Sequence, residues 1–387
     1  MKRILIVNSN MHIGGVQKAL INLLWCIRDQ YDITLLLFHK GGACLQDLPP
    51  EIKVITPSSA YRYLGITRYD AVGLWDKLGR GWFGAITRLF GRKYAIRLMA
   101  LGQKKLKGYD VAISYLHNSA EKMFYGGCND FVLRHVDAAK KVAFLHCDYE
   151  LCGANTRENA KQYGQFDVIA ACSQGCADSF LKVQPQMAEK IRIVPNCHRF
   201  EDIQKKAREA SVVLPKEKIH IVTVARFGKE KGVERALRVI SRLGVYKDKI
   251  HYYLIGDGIQ KPLLDQIIKN NRLDGVVTLC GMLENPYGYI QAADLLLIPS
   301  YSEAAPLVIG EAAALGTPIL STQTSSAKEM IEKTGFGWVC ENSEDAMLSA
   351  LEALLAAPAA LEDAKKRLSE NLPTNEMAVN QFLNSME

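Results

Sequence analysis

The chain has 387 residues, of which 48% are hydrophobic, and a formal net charge of +7. This length exceeds one ordinary hydrophobic core and predicts two domains, while no uncharged apolar run is long enough to predict a membrane-spanning helix or a secretion signal. The ten cysteines are scattered and none stands in a Cys-x-x-Cys pair, which argues against a zinc ribbon and favours a reducing cytosol.

The first half of the chain alternates predicted strands with turns and helices. Residues 3–9 are predicted to form a strand, Gly14-Gly15 a turn and residues 16–27 a helix, which is typical of a doubly wound α/β domain. Paired glycines let a ligand approach the backbone, but this turn lacks a full Gly-x-Gly-x-x-Gly motif after the first strand, which argues against a dinucleotide-dependent dehydrogenase. Further strands are predicted at 33–39, 52–56, 110–115, 141–145, 167–171 and 191–194.

A basic stretch with aromatic residues occupies positions 75–107. It contains a single acid, Asp76, and nine basic residues: Lys77, Arg80, Arg88, Arg92, Lys93, Arg97, Lys104, Lys105 and Lys107. Trp75, Trp82, Phe83 and Phe90 are interleaved with them. Such a helical stretch can lie on an anionic membrane surface, or it can be a solvated face whose aromatic residues enter the core. Nucleic acid is a poorer explanation, because no recognised nucleic-acid-binding module surrounds the stretch.

A polar cluster, His146-Cys147-Asp148-Tyr149, follows the strand predicted at 141–145. The carboxyl ends of strands are where α/β sheets bind ligands, and a histidine there can orient a substrate hydroxyl or handle a proton. A structural histidine is the alternative.

The second half of the chain repeats the alternation after a partly helical connector at 199–215. The strand predicted at 219–225 leads into a turn that contains Arg226, Lys231 and Gly232, and a helix is predicted from residue 233. Two cations at a helix entrance suit a diphosphate, although bases in a charged surface loop are the alternative. Strands are also predicted at 251–255, 276–280, 295–299 and 318–321, and helices at 261–270, 287–293, near Glu329 and from 344 onward.

The stretch from 299 to 318 carries two carboxylates, Glu303 in a predicted loop and Glu311 in a helix predicted at 307–315. Pro306 suits the first turn of that helix, and a helix N-terminus attracts anions through its free amides. The hypothesis is a phosphate-bearing ligand at this helix, with the two carboxylates on its polar groups. The alternative is an ordinary loop acid and an ordinary helix acid.

The two alternating halves predict two Rossmann-like domains, residues 1–197 and 198–373, that face a cleft. A final helix at 374–385 is expected to pack back on the first half.

In this order and spacing, the motifs resemble the retaining glycosyltransferases of family 4, which have the GT-B fold, and within them the branch that builds bacterial surface polysaccharides. The resemblance spans nearly the whole chain. It rests on these residues: Gly14-Gly15, His146-x-Asp148-Tyr149, Pro195-Asn196, Arg226 with Lys231-Gly232, Gly256-Asp257-Gly258, and Glu303-x7-Glu311. It implies an N-terminal domain that binds the acceptor and a C-terminal domain that binds a nucleotide-sugar.

The resemblance also implies roles for residues of the C-terminal domain that bind the donor. Arg226 and Lys231 would hold the diphosphate, and the backbone amides of Leu307 and Val308 would lie near the phosphate and sugar. Glu311 would bind the ribose hydroxyls.

Other residues would contact the sugar and the base. Glu303 would contact the hydroxyls of the donor sugar, and His146 and the backbone of Gly15 would touch the sugar from the N-terminal domain. The loop at Met282 and Leu283 would border the base.

The family retains the anomeric configuration, and two protein cations at the leaving group imply that neither a metal nor a cofactor is needed. The expected donor is a UDP-linked hexose or N-acetylhexosamine, and the expected acceptor is a glycan or a lipid-linked saccharide.

The chain departs from the family at Ala304-Ala305 and at 324–326, which bears on the identity of the donor sugar. The expected location is the cytoplasm, peripherally on the inner face of the cell membrane. A catalytically silent nucleotide-sugar-binding or glycan-binding partner is the alternative function, and an epimerase of the same fold fits the spacing less well.

Overall fold

A computed structural model describes residues 1–70, 72–210 and 212–387. The chain forms two compact units. One unit comprises Met1–Cys197 and Asn375–Glu387, and the other comprises His198–Thr374. Each unit contains its own parallel sheet and hydrophobic core.

The first unit has a seven-stranded parallel sheet in the order β3-β2-β1-β4-β5-β6-β7. Its strands are Arg3–Asn8 (β1), Asp32–Leu37 (β2), Lys53–Ile55 (β3), Leu106–Ser114 (β4), Val136–Leu145 (β5), Val168–Ala171 (β6) and Ile191–Ile193 (β7). The direction of winding reverses between β1 and β4, where Ile4 pairs with Val111. In doubly wound sheets this reversal leaves a crevice at the carboxyl ends of the two strands.

Helices cover the faces of this sheet. They are Gly15–Ile27 (α1), Arg62–Gly65 (α2), Leu74–Phe90 (α3), Arg92–Met99 (α4), Cys128–His135 (α5), Arg157–Tyr163 (α6) and Gln174–Val183 (α7). Because both faces of a parallel sheet are covered, its central strands are continuous apolar runs. β1 shows this pattern, since every residue from Ile4 to Asn8 is buried.

The second unit has a six-stranded parallel sheet in the order β10-β9-β8-β11-β12-β13. Its strands are Ile219–Val224 (β8), Ile250–Ile255 (β9), Val277–Gly281 (β10), Leu295–Ile298 (β11), Ile319–Thr322 (β12) and Gly337–Cys340 (β13). Its helices are Phe200–Ala210 (α8), Val233–Ser241 (α9), Lys261–Asn270 (α10), Tyr287–Ala292 (α11), Leu307–Ala314 (α12), Glu344–Ala356 (α13) and Ala359–Glu370 (α14). The winding reverses between β8 and β11, where Ile221 pairs with Leu295.

The last helix, Glu376–Met386 (α15), belongs to the first unit. Phe382 is fully buried there, with its ring 6.2 Å from that of Tyr31 and 6.5 Å from that of Phe144. Ala378 and Met386 join the same core. The apolar face of this helix therefore completes the packing around the first sheet.

Several sequence-based predictions were wrong in detail. The basic stretch at 75–107 is not one helical run, because α3 ends at Phe90, α4 ends at Met99 and Lys107 lies in β4. β5 begins at Val136 rather than at residue 141, and the helix expected near Glu329 is a π-helical turn at Lys328–Glu332. The sequence analysis missed α5, α6 and β13, which are short and lack strong periodicity.

Candidate ligand-binding site

The candidate site of the second unit lies where the winding of its sheet reverses. β8 and β11 are neighbours in the sheet, so the loops that follow them start side by side. The loop after β8 carries Arg226 and Lys231, and the loop after β11 carries Glu303. This is the position at which open α/β sheets bind ligands.

The structure joins these two loops by an ion pair. Nζ of Lys231 lies 2.7 Å from Oε1 of Glu303, and the hydroxyl of Ser300 donates to the same carboxylate oxygen at 2.7 Å. The side chains of Lys231 and Glu303 are only 23% and 11% exposed, so water screens the pair less than it screens a surface pair. An ammonium group has three N–H donors, and this contact uses one of them.

Arg226 faces a different partner. One Nη of its guanidinium lies 2.6 Å from Oε1 of Glu230, and the Arg226 side chain is 76% exposed. Partial burial would raise the pKa of Glu230, but hydrogen bonds from its own backbone amide and from Arg226 lower that pKa below its ordinary value. An exposed pair of this kind contributes little to stability, so Arg226 can change partners at low cost.

The turn between β8 and α9 requires a glycine at position 232. Gly232 has a φ of +61°, and a Cβ at this residue would lie 2.1 Å from the carbonyl oxygen of Pro299. Any larger residue would therefore push apart the two loops that carry Lys231 and Glu303.

Arg235 holds the second loop from within the protein. It is 1% exposed, and it donates to the carbonyl oxygens of Pro299 and Ser300, to Oδ1 of Asn342 and to Oγ1 of Thr322. Its guanidinium also lies 3.9 Å from the ring centroid of Tyr301. Burial lowers the pKa of Arg235 from its usual value. These bonds fix the backbone just before Glu303.

Sequence analysis missed this role of Arg235. A signal was present, since Arg235 is followed in the predicted helix by the apolar residues Ala236, Leu237, Val239 and Ile240. An arginine buried among apolar residues needs partners for its N–H groups, which points to exposed carbonyls nearby.

The helix α12 begins at the site. Pro306 precedes it in extended conformation, and the amides of Leu307 and Val308 are in its first turn, where helix amides have no intrahelical acceptor. The carbonyl of Leu307 lies 3.0 Å from Nε2 of His198. Glu311 lies on the second turn of α12 and is 3% exposed.

The residues at which the chain departs from the resembled family surround Glu303. Ala304 and Ala305 follow it directly, and the hydroxyl of Ser325 donates to the carbonyl oxygen of Glu303 at 2.7 Å. Hence the stretch at 324–326 holds the backbone of this loop. Leu283, after β10, is half-buried against the core, whereas its neighbour Met282 is exposed.

In the first unit, His146 directly follows β5 and its ring rests on other rings. The ring centroids are 5.6 Å apart for Phe144 and His146 and 4.6 Å apart for Tyr115 and His146. Burial, together with the neighbouring His117, lowers the pKa of His146 to about 3, and burial lowers the pKa of His117 to about 4. Both imidazoles are therefore neutral at neutral pH. Nε2 of His146 and Nδ1 of His117 are buried with no hydrogen-bond partner among the described residues.

The residues that follow His146 have structural contacts. Asp148 accepts hydrogen bonds from the hydroxyl of Ser179 and from the amide of Leu151. Tyr149 is fully buried and packs edge-on against Phe180.

Gly15 is the first residue of α1, after the strand β1. A Cβ at this position would meet no atom within 4 Å. The packing of the first unit therefore does not require a glycine here, and the predicted approach of a ligand to its backbone stays a prediction.

The aromatic residues of α3 divide between core and surface. Phe83 is 7% exposed, whereas Trp75 is 82%, Trp82 56% and Phe90 64% exposed. Three exposed leucines, Leu74, Leu78 and Leu89, extend this surface. We call the surface formed by these leucines with Trp75, Trp82 and Phe90 the α3 apolar face. The interpretation in which the aromatics enter the core is therefore correct only for Phe83.

Not every basic residue of this stretch is a surface charge. Arg92 is 2% exposed, and it donates to Oδ1 of Asn159 and to the carbonyl oxygen of Ser119. Lys93 pairs with Glu158 at 3.0 Å. Across the described ranges, no helix has both the length and the apolarity needed to cross a membrane, and no three His, Cys, Asp or Glu side chains converge as a metal site.

A family model matches most of the second unit. Residues 204–372 match the family model described as "Glycosyl transferases group 1". The chain is 28% identical over 172 residues to the amylovoran biosynthesis glycosyltransferase AmsK of Erwinia amylovora, covering 42% of this chain and 41% of that protein. It is 28% identical over 195 residues to a Campylobacter jejuni protein, N-acetylgalactosamine-N,N'-diacetylbacillosaminyl-diphospho-undecaprenol 4-alpha-N-acetylgalactosaminyltransferase, covering 50% and 52%. The chain thus spans about half the length of these curated relatives.

A solved structure matches the whole chain. HepE of Anabaena, in complex with UDP and glucose, aligns with a TM-score of 0.68 at 17% identity, over 100% of this chain and 99% of that one. At this identity the likeness shows the fold alone. The predicted fold class, two Rossmann-like domains of the GT-B kind, is confirmed.

Proposed function

We propose that this protein is a glycosyltransferase that moves a hexose or N-acetylhexosamine from a nucleotide-sugar to a glycan or lipid-linked acceptor during the synthesis of a cell-surface polysaccharide. The family match covers most of the second unit, and the names of the two relatives describe sugar transfer. We propose UDP as the nucleotide, because the matched HepE structure holds UDP, and retention of the anomeric configuration, because of the resemblance to family 4.

The observation that carries this proposal is the ion pair between Lys231 and Glu303 at the reversal of the second sheet. Glu303 orients the ammonium group of Lys231, and two N–H donors of that ammonium group remain for other acceptors. The N-terminus of α12 follows Glu303 after a short loop and presents backbone amides. A fixed cation beside free helix amides suits the diphosphate of a nucleotide-sugar.

The chemistry follows from the charges. When the bond from the anomeric carbon to the diphosphate oxygen breaks, negative charge grows on that oxygen. Lys231, the amides of Leu307 and Val308, and an Arg226 released from Glu230 are placed to stabilise this charge, and such preorganised donors supply a large share of catalysis in transfer enzymes. We therefore propose that the reaction needs no metal ion or cofactor. The acceptor hydroxyl attacks the face that the diphosphate leaves, and its proton passes to the departing phosphate.

The other predicted contacts remain part of the proposal. Glu303 contacts the hydroxyls of the donor sugar while it holds Lys231, Glu311 accepts from the ribose, and Leu283 borders the base. From the first unit, His146 and the backbone of Gly15 contact the sugar. A neutral His146 with a buried unpaired nitrogen suits hydrogen bonding to a hydroxyl better than proton transfer at neutral pH.

We also propose that the α3 apolar face rests on an anionic membrane. Leu74, Leu78 and Trp82 are spaced four residues apart, so they share one side of the helix. Lys77 and Arg88 lie on the adjoining side and are exposed, which complements anionic lipid head groups. All ten cysteines are free thiols, as suits the reducing cytoplasm, and we place the protein on the cytoplasmic side of the membrane.

The test is a thermal-shift panel of nucleoside diphosphates and UDP-sugars, followed by an assay for UDP release. Binding to the folded state raises the unfolding temperature, so UDP and one UDP-sugar should each stabilise the protein. Slow release of UDP from that sugar without acceptor supports a transferase. A shift without any UDP release favours the silent binding partner, conversion of the sugar without release favours an epimerase, and no shift with any nucleotide overturns the proposal.

A further inference from the structure

A cavity of about 220 Å³ lies beside the α3 apolar face in the first unit. Three cations line it, Arg68 from the segment after α2 and Lys77 and Arg80 from α3, together with Thr67 and Asp70. Of these residues only Lys77 has a role proposed above, as a charge beside the lipid head groups, and the donor site uses none of them. A concave site with three cations suits a ligand that carries more than one negative charge.

The wall opposite α3 is held in place by a hydrogen-bond network. The carboxylate of Asp70 accepts from the amide and the hydroxyl of Thr67, and its Oδ1 lies 2.9 Å from Nε2 of His12 and 3.3 Å from that of His39. Burial would raise the pKa of Asp70, but the Thr67 hydrogen bonds and the two imidazoles lower it. Asp70 is thus held by Thr67 and the two imidazoles, and among the described residues no ion pair joins it to Arg68, Lys77 or Arg80.

The cations are held to different degrees. Arg80 donates through Nε to the carbonyl oxygen of Ile66 at 2.7 Å, which fixes its guanidinium against the cavity wall and leaves its two Nη groups for other acceptors. Arg68 and Lys77 are exposed. A guanidinium fork and an ammonium group together match the oxygens of two linked phosphates.

The position of the cavity identifies the source of such an anion. Lys77, which lines the cavity, directly precedes the exposed Leu78 in the chain and lies on the side of α3 that adjoins the α3 apolar face. A ligand in the cavity therefore sits at the edge of the surface that we place against the membrane. A free nucleotide needs no such neighbour, whereas the head of a lipid anchored in that membrane must lie there.

We propose that this cavity binds the diphosphate head of a lipid-linked saccharide acceptor, with its lipid chain in the membrane beneath the α3 apolar face. This inference rests on the proposed function, because it names the acceptor of the same transfer reaction. Arg68, Lys77 and Arg80 bind the diphosphate, and Thr67 and Asp70 hold the wall. The site thereby makes a diphosphate linkage a requirement for the acceptor.

Calorimetric titration of the full chain in nonionic detergent tests this inference, with farnesyl diphosphate, farnesol and inorganic pyrophosphate as probes. The test variant is Arg68→Gln with Lys77→Gln. The control is Lys104→Gln with Lys105→Gln, which removes the same charge from the exposed segment before β4, outside the cavity lining. Farnesyl diphosphate should bind more tightly than pyrophosphate, and farnesol should bind weakly.

The cavity variant should lose affinity for farnesyl diphosphate by about tenfold or more, since each charge-assisted hydrogen bond contributes more than 1 kcal/mol. The control should lose about threefold at most. Equal losses in both variants, or none in the cavity variant, overturn the inference. Pyrophosphate that binds as tightly as farnesyl diphosphate makes the cavity a plain phosphate site and also overturns it. If phosphatidylglycerol in the same detergent competes as well as farnesyl diphosphate, the ligand is a phospholipid head group and the inference falls.

The same proteins are titrated with UDP, which separates this inference from the proposed function. Both variants should keep the UDP-induced thermal shift of the unaltered protein, because the cavity is in the first unit and Lys231 in the second. A missing UDP shift in the unaltered protein would refute the donor site alone. A normal UDP shift without farnesyl diphosphate binding would refute the cavity alone.

Discussion

Lys231 and Glu303 are 72 positions apart in the chain, and their side chains meet at 2.7 Å. The contact changes the meaning of both residues. Predicted separately, one was a phosphate-binding cation and the other a sugar-binding acid. In the structure, each sets the position of the other, and Ser300 fixes the shared oxygen. The ion pair holds the ammonium group of Lys231 in one position, and the two N–H donors that do not bind Glu303 point away from it.

The first prediction concerns this cation. Lys231→Ala should lower turnover by about two to three orders of magnitude, as the loss of one oxyanion-stabilising donor does. The matched control is Lys229→Ala, in the same turn, whose side chain is exposed and has no ion pair among the described residues. Initial rates of UDP release from a UDP-sugar measure the effect. Turnover of the Lys231 variant within about threefold of the unaltered protein would contradict the diphosphate role.

The second prediction concerns Arg226 and its exposed partner Glu230. If Arg226 leaves Glu230 to bind the diphosphate, Glu230→Gln should tighten UDP binding by a few-fold, because an exposed ion pair contributes up to about 1 kcal/mol. Arg226→Ala should weaken UDP binding and lower turnover by about two to three orders of magnitude. Titration with UDP measures the affinities. Opposite signs for the two variants are the essential result, and a loss of affinity in both would mean that the pair acts as a fixed unit.

Much of the fold could be predicted from the sequence because parallel strands and amphipathic helices have distinct periods. The helix Lys261–Asn270 was predicted at its observed bounds, and the strand Leu295–Ile298 within one residue. The Lys231–Glu303 contact could not be predicted, because it depends on which strands are neighbours. β8 and β11 are neighbours in the sheet, although β9 and β10 come between them in the chain. The local sequence pattern carries no information about that pairing.

The burial of individual side chains was also hard to predict from the sequence. Arg235 and Phe83 both stand on predicted helices, and only packing shows that both are buried while Trp75 and Trp82 are exposed. Likewise, Asp148 belonged to a motif, but its carboxylate accepts from Ser179 and supports the fold locally. Motifs thus indicated the region of the candidate site, whereas only the tertiary contacts show which of its residues hold the loops.

The third prediction concerns Arg235. Arg235→Met should lower the free energy of unfolding by about 3 kcal/mol or more, because the buried carbonyl oxygens of Pro299 and Ser300 lose their donor. Arg238→Met is the matched control on the same helix, since its partner Glu344 is half-buried and Arg238 itself is 42% exposed. The control should cost under about 1 kcal/mol. Urea denaturation measures both, and equal losses would show that Arg235 has no special structural role.

The fourth prediction concerns pH. The pKa values of His146, about 3, and His117, about 4, lie below the ordinary value of 6.5, so unfolding takes up protons in acid. The stability that these neutral imidazoles contribute is complete above about pH 6.5 and is lost as the pH falls toward their folded pKa values. In His146→Phe, which keeps a ring against Phe144 and removes one titrating group, the free energy of unfolding should fall less steeply between about pH 6.5 and 4.5. An unchanged slope would show that His146 is not neutral in the folded protein.

The fifth prediction concerns the α3 apolar face. The triple variant Trp75→Ser, Leu78→Ser, Trp82→Ser should bind phosphatidylglycerol vesicles at least about tenfold more weakly, because each side chain loses apolar area that would enter the lipid interface. Its unfolding temperature should stay unchanged, because all three side chains are more than half exposed. Vesicle co-sedimentation at low salt measures binding, and differential scanning calorimetry measures stability.

The control for this variant removes three exposed apolar side chains from the second unit, Val213→Ser, Val245→Ser and Ile259→Ser. It should bind vesicles as the unaltered protein does. Binding should also weaken as salt is raised and should be weaker with neutral phosphatidylcholine, because Lys77 and Arg88 contribute by charge. Equal binding to neutral and anionic vesicles would show that Lys77 and Arg88 do not contribute to membrane binding. If the triple serine variant of α3 binds vesicles as tightly as the control variant does, the α3 apolar face has no membrane role. Membrane contact through apolar side chains must weaken when those side chains are replaced.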